Sequence, residues 1–378
     1  MSQVPRLRIT PGRAAIIELP WEARFLSTIP PGAGSTRSVA FIHVHKGYRI
    51  EPRSLREALR VEAEAAGAPG ALAFLTAAST DEVEWRSIEG PPRAWVYATI
   101  GLTPPVCPGG SGEGHEPLRA STINVAVIVE DNLSPAGAAD LLRAVAEAKA
   151  AAASELLLRC PESQGPWRPL GTVTDSIAVL WPAHTSKPGA ETAGHATRIG
   201  GPIGEAVYRL ILEAGLARLG PGGLAANALG LSPRELAGLV GRVYEESPVP
   251  GVPRSRVEEA AGRLIEAWLG DPNVQALIIA SREVDIHGSA GGIPGLREEC
   301  FHSDTPRIVA DELLGMALAS YLAGARGVLA MYWVERLKKR GVIPEAPMFE
   351  DDAASAIIAS ALARILDRLL GTEPEVSL

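Results

Sequence analysis

The chain has 378 residues, of which 46% are hydrophobic and 21% charged, and a formal net charge of −8; that is enough for two or three domains with real cores. The acidic balance argues against a nucleic-acid partner, because phosphate contacts need clustered Lys and Arg, and the one basic run, RLKKRG at 336–341, is short. No apolar run reaches the ~18–20 residues of a membrane span, the N-terminal MSQVPRLRITPGR lacks a signal-peptide core, and Cys107, Cys160 and Cys300 are scattered without metal-ligand spacing. A reduced, cytoplasmic protein without membrane attachment is therefore expected.

In chain order, short segments rich in Val, Ile and aromatics predict strands at 14–19, 24–28, 39–45, 71–76, 94–100 and 122–130. Between the second and third lies LSTIPPGAGSTRS (26–38), read as a glycine-containing loop whose backbone N–H groups can face an oxyanion. It has neither a Walker nor a dinucleotide fingerprint. The run from Ile123 to Val129 is apolar apart from Asn124, as in a strand covered on both faces. Ser134 or Asn132 then caps an Ala-rich helix, and DSIAVLWP returns as a strand, giving a βαβ-type unit. PPVCPGGSGEGHEP (104–117) reads as an exposed loop.

Beyond about Gly204 the spacing of apolar residues becomes helical, and Ser232 with Glu235 forms a capping box. ALIIAS (276–281) fits strand or helix. The expected fold class is an α/β N-terminal domain with a mixed sheet (1–210) followed by an all-α C-terminal domain (211–378). Four Asn, three Gln and four Met against 31 Pro fit a heat-adapted source; a GC-rich genome, which enriches Ala, Gly and Pro, is the alternative.

Several polar groups lack an obvious structural reason. His43 and His45 alternate on one strand face, but no third metal ligand accompanies them. Glu147 and Lys149 interrupt the Ala-rich helix and, two positions apart, do not face one another. GTVTD (171–175) stands immediately before a strand, where turn chemistry is the simple explanation and an active-site edge the sharper one. His195, Thr197 and Arg198 in GHATRIG bring acid–base and anion-binding groups.

In this order, LSTIPPGAGS, LAFLTAAS, ATIGLTPP, the TINVAVIVE strand with its helix, GTVTDSIAVLWP and GHATRIGGPIGEAV resemble the adenosylcobinamide amidohydrolases over roughly residues 15–210. Pro30–Ala33 stands where that pattern has Asn-Gly-Gly, Ala146 where it has Thr and Val173 where it has Gly. The resemblance implies hydrolysis of the amide joining aminopropanol to a corrin ring, with a corrinoid as small-molecule partner. Asp175 or Glu147 is the expected general base and His195 the acid, with Lys149 or the 30–36 loop on the oxyanion. Thr174 and Ser27 are the expected nucleophiles of a covalent alternative. Substrate contacts are expected from Ser27, Gly32, Gly34, Asn124, Thr172 and Thr197.

The second half carries ADELLG, YWVERLKKRG and FEDDAAS. These resemble α-ribazole-phosphate phosphatases related to phosphatidylglycerophosphatase A, with Glu335 in place of Asp and Arg340 in place of Pro. That implies a Mg²⁺ or similar divalent ion on Asp311, Glu312, Glu335, Asp351 and Asp352, and phosphate contacts from Lys338 or Lys339. The pair of modules resembles archaeal bifunctional cobamide-salvage proteins. An amidohydrolase with an inactive helical assembly domain and a non-catalytic corrinoid carrier are the alternatives. A homo-oligomer is expected.

Overall fold

A computed structural model describes residues 4–50, 54–108, 118–119, 122–160, 168–302, 308–344 and 346–371. The chain divides into two compact units, Met1–Arg218 and Leu219–Leu378. The first is α/β and the second helical, which is the expected fold class.

The α/β unit contains β1 (Arg6–Thr10), β2 (Ala14–Ser27), β3 (Ala33–His43), β4 (Arg49–Ile50), α1 (Leu55–Ala65), β5 (Leu72–Thr76), β6 (Glu84–Ile88) and β7 (Ala94–Ile100). It continues with β8 (Pro105–Val106), β9 (Leu118–Arg119), β10 (Ile123–Val129), α2 (Pro135–Glu155), β11 (Gly171–Thr172), β12 (Ser176–Pro182) and α3 (Gly200–Leu219). The main sheet runs β5-β3-β2-β12-β10-β7-β6, with β1 beside β2. The pairs β10/β12 and β3/β5 are parallel and the others antiparallel, so the sheet is mixed. β10, α2 and β12 make the expected βαβ unit. Ser134 caps α2 by accepting the Gly137 N–H at 3.1 Å, with Pro135 at the first helical position.

Strand alternation separates two cores. Val125, Val127 and Val129 of β10 pack with Leu141, Val145, Ile203 and Val207 of α2 and α3. Ala126 and Ile128 turn instead toward Phe25, Phe41 and Phe74. The sheet curls toward that second side: the Asn124 amide of β10 donates across it to Leu75 O of β5 at 3.2 Å.

Several sequence expectations are corrected here. The two strands expected at 14–19 and 24–28 are one strand, β2, whose register shifts between Glu18 and Ala23, around Pro20. The expected 26–38 loop is mostly a hairpin: Leu26 pairs with Ala33, and Ser27 N donates to Gly32 O at 2.7 Å. ALIIAS is helical. Cys107 and Cys160 form a disulfide, against the expectation of three reduced thiols. Of the loop expected at 104–117, residues 109–117 lie outside the described residues.

The helical unit contains α4 (Gly223–Leu229), α5 (Pro233–Glu245), α6 (Arg254–Leu269), α7 (Pro272–Ser289), α8 (Glu298–His302), α9 (Ala310–Lys338) and α10 (Met348–Leu369). The Ser232/Glu235 capping box begins α5. By length and composition α9 is apolar enough to cross a membrane, contrary to the reading that no such run exists. It is not one rod, however. Ala323 (φ −143°, ψ 17°) and Gly324 (φ 60°, ψ −151°) are non-helical. A Cβ on Gly327 would lie 2.6 Å from Ala319 O, and one on Gly315 would lie 2.9 Å from Met331 Cε. Residues eight apart on a straight helix are ~12 Å apart, so the two limbs fold back on one another. The same turn carries Asp311 and Glu312, on the first limb, to the end where the second limb holds Glu335 and Lys338.

Candidate functional site

Each unit gathers its own polar residues. In the α/β unit the GTVTD turn is fastened by Asp175. Its Oδ1 accepts Ile123 N–H at 2.7 Å and the Thr172 hydroxyl at 2.5 Å. Its Oδ2 accepts Thr172 N–H at 2.9 Å and Lys149 Nζ at 2.5 Å. Lys149 also donates to Leu170 O at 3.0 Å. Only 10% of the Lys149 side chain and 9% of Asp175 are exposed, so the carboxylate is buried, paired and saturated. Gly171 makes this possible: at φ +146° a Cβ would lie 2.0 Å from Asp175 Oδ2 and 2.4 Å from Lys149 Nζ.

Glu147 belongs to a different group. His195 Nε2 lies 3.3 Å from Glu147 Oε2, with 43% and 48% of the two side chains exposed. Arg143 donates to Glu147 at 2.6 Å and to Asp140 at 2.7 Å, holding the Asp140 carboxyl below its ordinary range. Asp140 in turn accepts Ala193 N–H at 2.9 Å, tying the chain before His195 to α2. On α3, Gly204 leaves room for the imidazole: a Cβ there would lie 2.5 Å from His195 Nδ1. Residues two apart on a helix project about 200° apart, so Glu147 and Lys149 serve separate clusters on opposite faces of α2.

The remaining predicted residues are arranged around these two groups. Asn124, Thr99 and Ser176 pair in register at adjoining strand ends. Asn124 donates to Thr122 Oγ1 at 2.9 Å, while its Oδ1 and Thr99 Oγ1 are buried without a hydrogen-bond partner. Ser27 accepts Ile29 N–H at 3.1 Å inside the hairpin turn that holds Gly32, and Gly34 packs on the Phe25 ring. Thr197 donates to Gly194 O at 2.8 Å and accepts Gly200 N–H at 3.0 Å, so its hydroxyl starts α3. Thr174 is half-buried beside the exposed Val173. His43 and His45 do not converge: His43 bonds Ala78 O at 3.0 Å, and His45 accepts Gly47 N–H at 3.1 Å. Sequence reasoning missed Asp140 and Arg143, although their 3- and 4-residue spacing to one another and to Glu147 is that of a helix-surface ladder.

In the helical unit all five predicted metal ligands meet through Asp352. Asp311, Glu312 and Asp352 form one triad of carboxylates and Glu335, Asp351 and Asp352 a second, each with oxygens within 4.8 Å of one another. Asp311 Oδ1 and Asp352 Oδ2 are buried and accept no hydrogen bond. Burial pushes the carboxyls of Asp311 and Asp352 each up to about 7. Lys338 lies inside the second triad, ion-paired with Asp351 and 2.5 Å from Glu335 Oε1; Lys339 is exposed. A buried Arg282–Glu350 pair at 2.8 Å supports the start of α10, and Asp285 accepts its Phe349 and Glu350 N–H groups at 3.0 and 2.8 Å. Orphaned, hard carboxylate oxygens suit Mg²⁺, Mn²⁺ or Ca²⁺ rather than a soft metal.

Residues 4–221 match the family described as adenosylcobinamide amidohydrolase. An uncharacterized protein of Methanocaldococcus jannaschii is 29% identical over 118 residues, 30% of this chain and 89% of that protein. Among solved structures, ypjQ of Bacillus subtilis aligns at 17% identity with a TM-score of 0.33, covering 40% of this chain and 96% of that one. The low temperature requirement C protein of Listeria monocytogenes aligns at 18% identity and a TM-score of 0.32, covering 38% and 92%.

Proposed function

The chain belongs to the adenosylcobinamide amidohydrolase family, and from that membership we propose that its α/β unit cleaves the amide between aminopropanol and the corrin ring of adenosylcobinamide, releasing adenosylcobyric acid. The observation that carries the assignment of roles is the Glu147–His195 contact at 3.3 Å with both groups open to solvent. Glu147 takes a proton from the attacking water and His195 delivers one to the departing amine. The Arg143–Asp140 ladder holds Glu147 in place, and Gly204 leaves the imidazole its space. Asp175, with four hydrogen bonds already made, acts as a brace that positions the GTVTD turn together with Lys149 and Thr172. The test is turnover of adenosylcobinamide followed by corrinoid chromatography. Glu147→Gln and His195→Asn are each expected to lower kcat by ~10²-fold or more with an unchanged far-ultraviolet spectrum. Wild-type turnover in both would remove the assignment.

For the helical unit the reading is metal-assisted hydrolysis of a phosphate monoester such as α-ribazole phosphate. The convergence of five carboxylates, three of them with a buried oxygen that accepts no hydrogen bond, favours it. Asp311, Glu312 and Asp352 would hold a Mg²⁺-like ion, which when bound activates water and polarises the phosphoryl oxygens. Lys338 supplies fixed positive charge beside it.

A further inference from the structure

We infer that Lys338 is a built-in cation occupying one of two adjoining carboxylate sites, so that the helical unit takes up a single divalent ion. The inference rests on the metal reading just given and adds to it the number of ions and the residue that sets that number.

The two triads share Asp352 but differ in what they lack. In the first, Asp311 and Asp352 are only 4% and 8% exposed, and each leaves a carboxylate oxygen without a donor. No basic side chain is ion-paired with Asp311, Glu312 or Asp352 among the described residues. Buried oxygens of this kind are stable only with a proton or a cation. The second triad also has a buried oxygen that accepts no hydrogen bond, Glu335 Oε1, but a cation already stands 2.5 Å from it. The Lys338 ammonium pairs with Asp351 and Glu335, and its side chain is 5% exposed. Asp351 is fixed from its other oxygen, which accepts Ala346 N–H at 3.0 Å. Lys338 follows Glu335 by three positions on the same limb of α9, the spacing at which helix side chains meet. A divalent ion in this triad would have to expel a buried ammonium or sit against it in a medium of low dielectric. The first triad is therefore the ion site, and the second is closed by the protein itself.

The experiment counts bound Mn²⁺ on the full-length protein by equilibrium dialysis and metal analysis. An Asp311→Asn/Asp352→Asn variant sets the background from the rest of the chain. Above that background the wild type is expected to bind one Mn²⁺, Lys338→Met two, and Lys338→Arg one. Two ions on the wild type would overturn the inference, as would one on a folded Lys338→Met. No ion on the wild type would instead overturn the metal reading on which it stands. The wild-type count decides between one and two ions by itself, so the test survives a variant that fails to fold.

Discussion

A carboxylate that accepts four hydrogen bonds has no lone pair to offer a water molecule, which sets Asp175 apart from Glu147 although both are acids in the same unit. Lys149 is ion-paired with Asp175, and both are about nine-tenths buried. Replacing the lysine strands the carboxylate. Lys149→Met is expected to destabilise the α/β unit by about 3–5 kcal/mol, read as a lowered urea midpoint at unchanged slope. A loss below 1 kcal/mol would mean that the pair is not the brace described. The sequence already separated Glu147 from Lys149, since residues two apart on a helix cannot meet. It could not say that Lys149 pairs with Asp175 and Glu147 with His195, because both partners come from segments that follow the helix. Saturation of Asp175 was equally hidden, as half of its bonds come from backbone N–H groups, which every residue type carries.

Among the elements, α10 shows how differently three neighbouring acids behave. A run of acids at a helix start ordinarily complements the helix dipole. Here Glu350 pairs with Arg282, Asp351 with Lys338, and Asp352 joins both carboxylate triads. Burial pushes the Asp285 carboxyl up to about 7, against the two N–H donors that pull it down. With Asp311 and Asp352 also near 7, three carboxyls keep protons in the folded unit that an unfolded chain releases near 3.8. Between those pH values the folded state binds more protons, so stability falls as pH rises. In chelator the helical unit is expected to melt higher at pH 5 than at pH 8, and Mg²⁺ at pH 8 should restore most of the difference. A melting temperature independent of pH would contradict the burial of these acids. The helices themselves were legible from apolar spacing, but the break in α9 was not, because Ala323 and Gly324 are as apolar as their neighbours. Gly324 occupies a backbone region that is essentially closed to other residues, at a cost of order 1–3 kcal/mol. Gly324→Ala is thus expected to destabilise the unit by that amount and to weaken Mn²⁺ binding. Unchanged values for both would show that the turn tolerates a side chain.

At the scale of the whole molecule, the change from period-two to helical patterning near residue 204 marked two kinds of architecture, while the covalent link inside the first went unseen. Cys107 and Cys160 are 53 residues apart in sequence, a spacing with no signature of its own. Closing such a loop typically contributes about 2–4 kcal/mol. Thermal unfolding with and without reductant is expected to lower the transition of the α/β unit and leave that of the helical unit in place; equal shifts in both would refute this. The folded-back α9 has a further consequence. It works as a carpenter's rule bent at its middle, with limbs of near-equal length that bring both free ends to one height. Each residue added to a limb turns its end by about 100° and lifts it by 1.5 Å. A single insertion within the second limb, between Gly327 and Met331, would therefore carry Glu335 and Lys338 away from Asp351, whereas one beside Gly324 at the turn would be absorbed. Limb length, more than the identity of any one acid, is what the chemistry of this end has to keep.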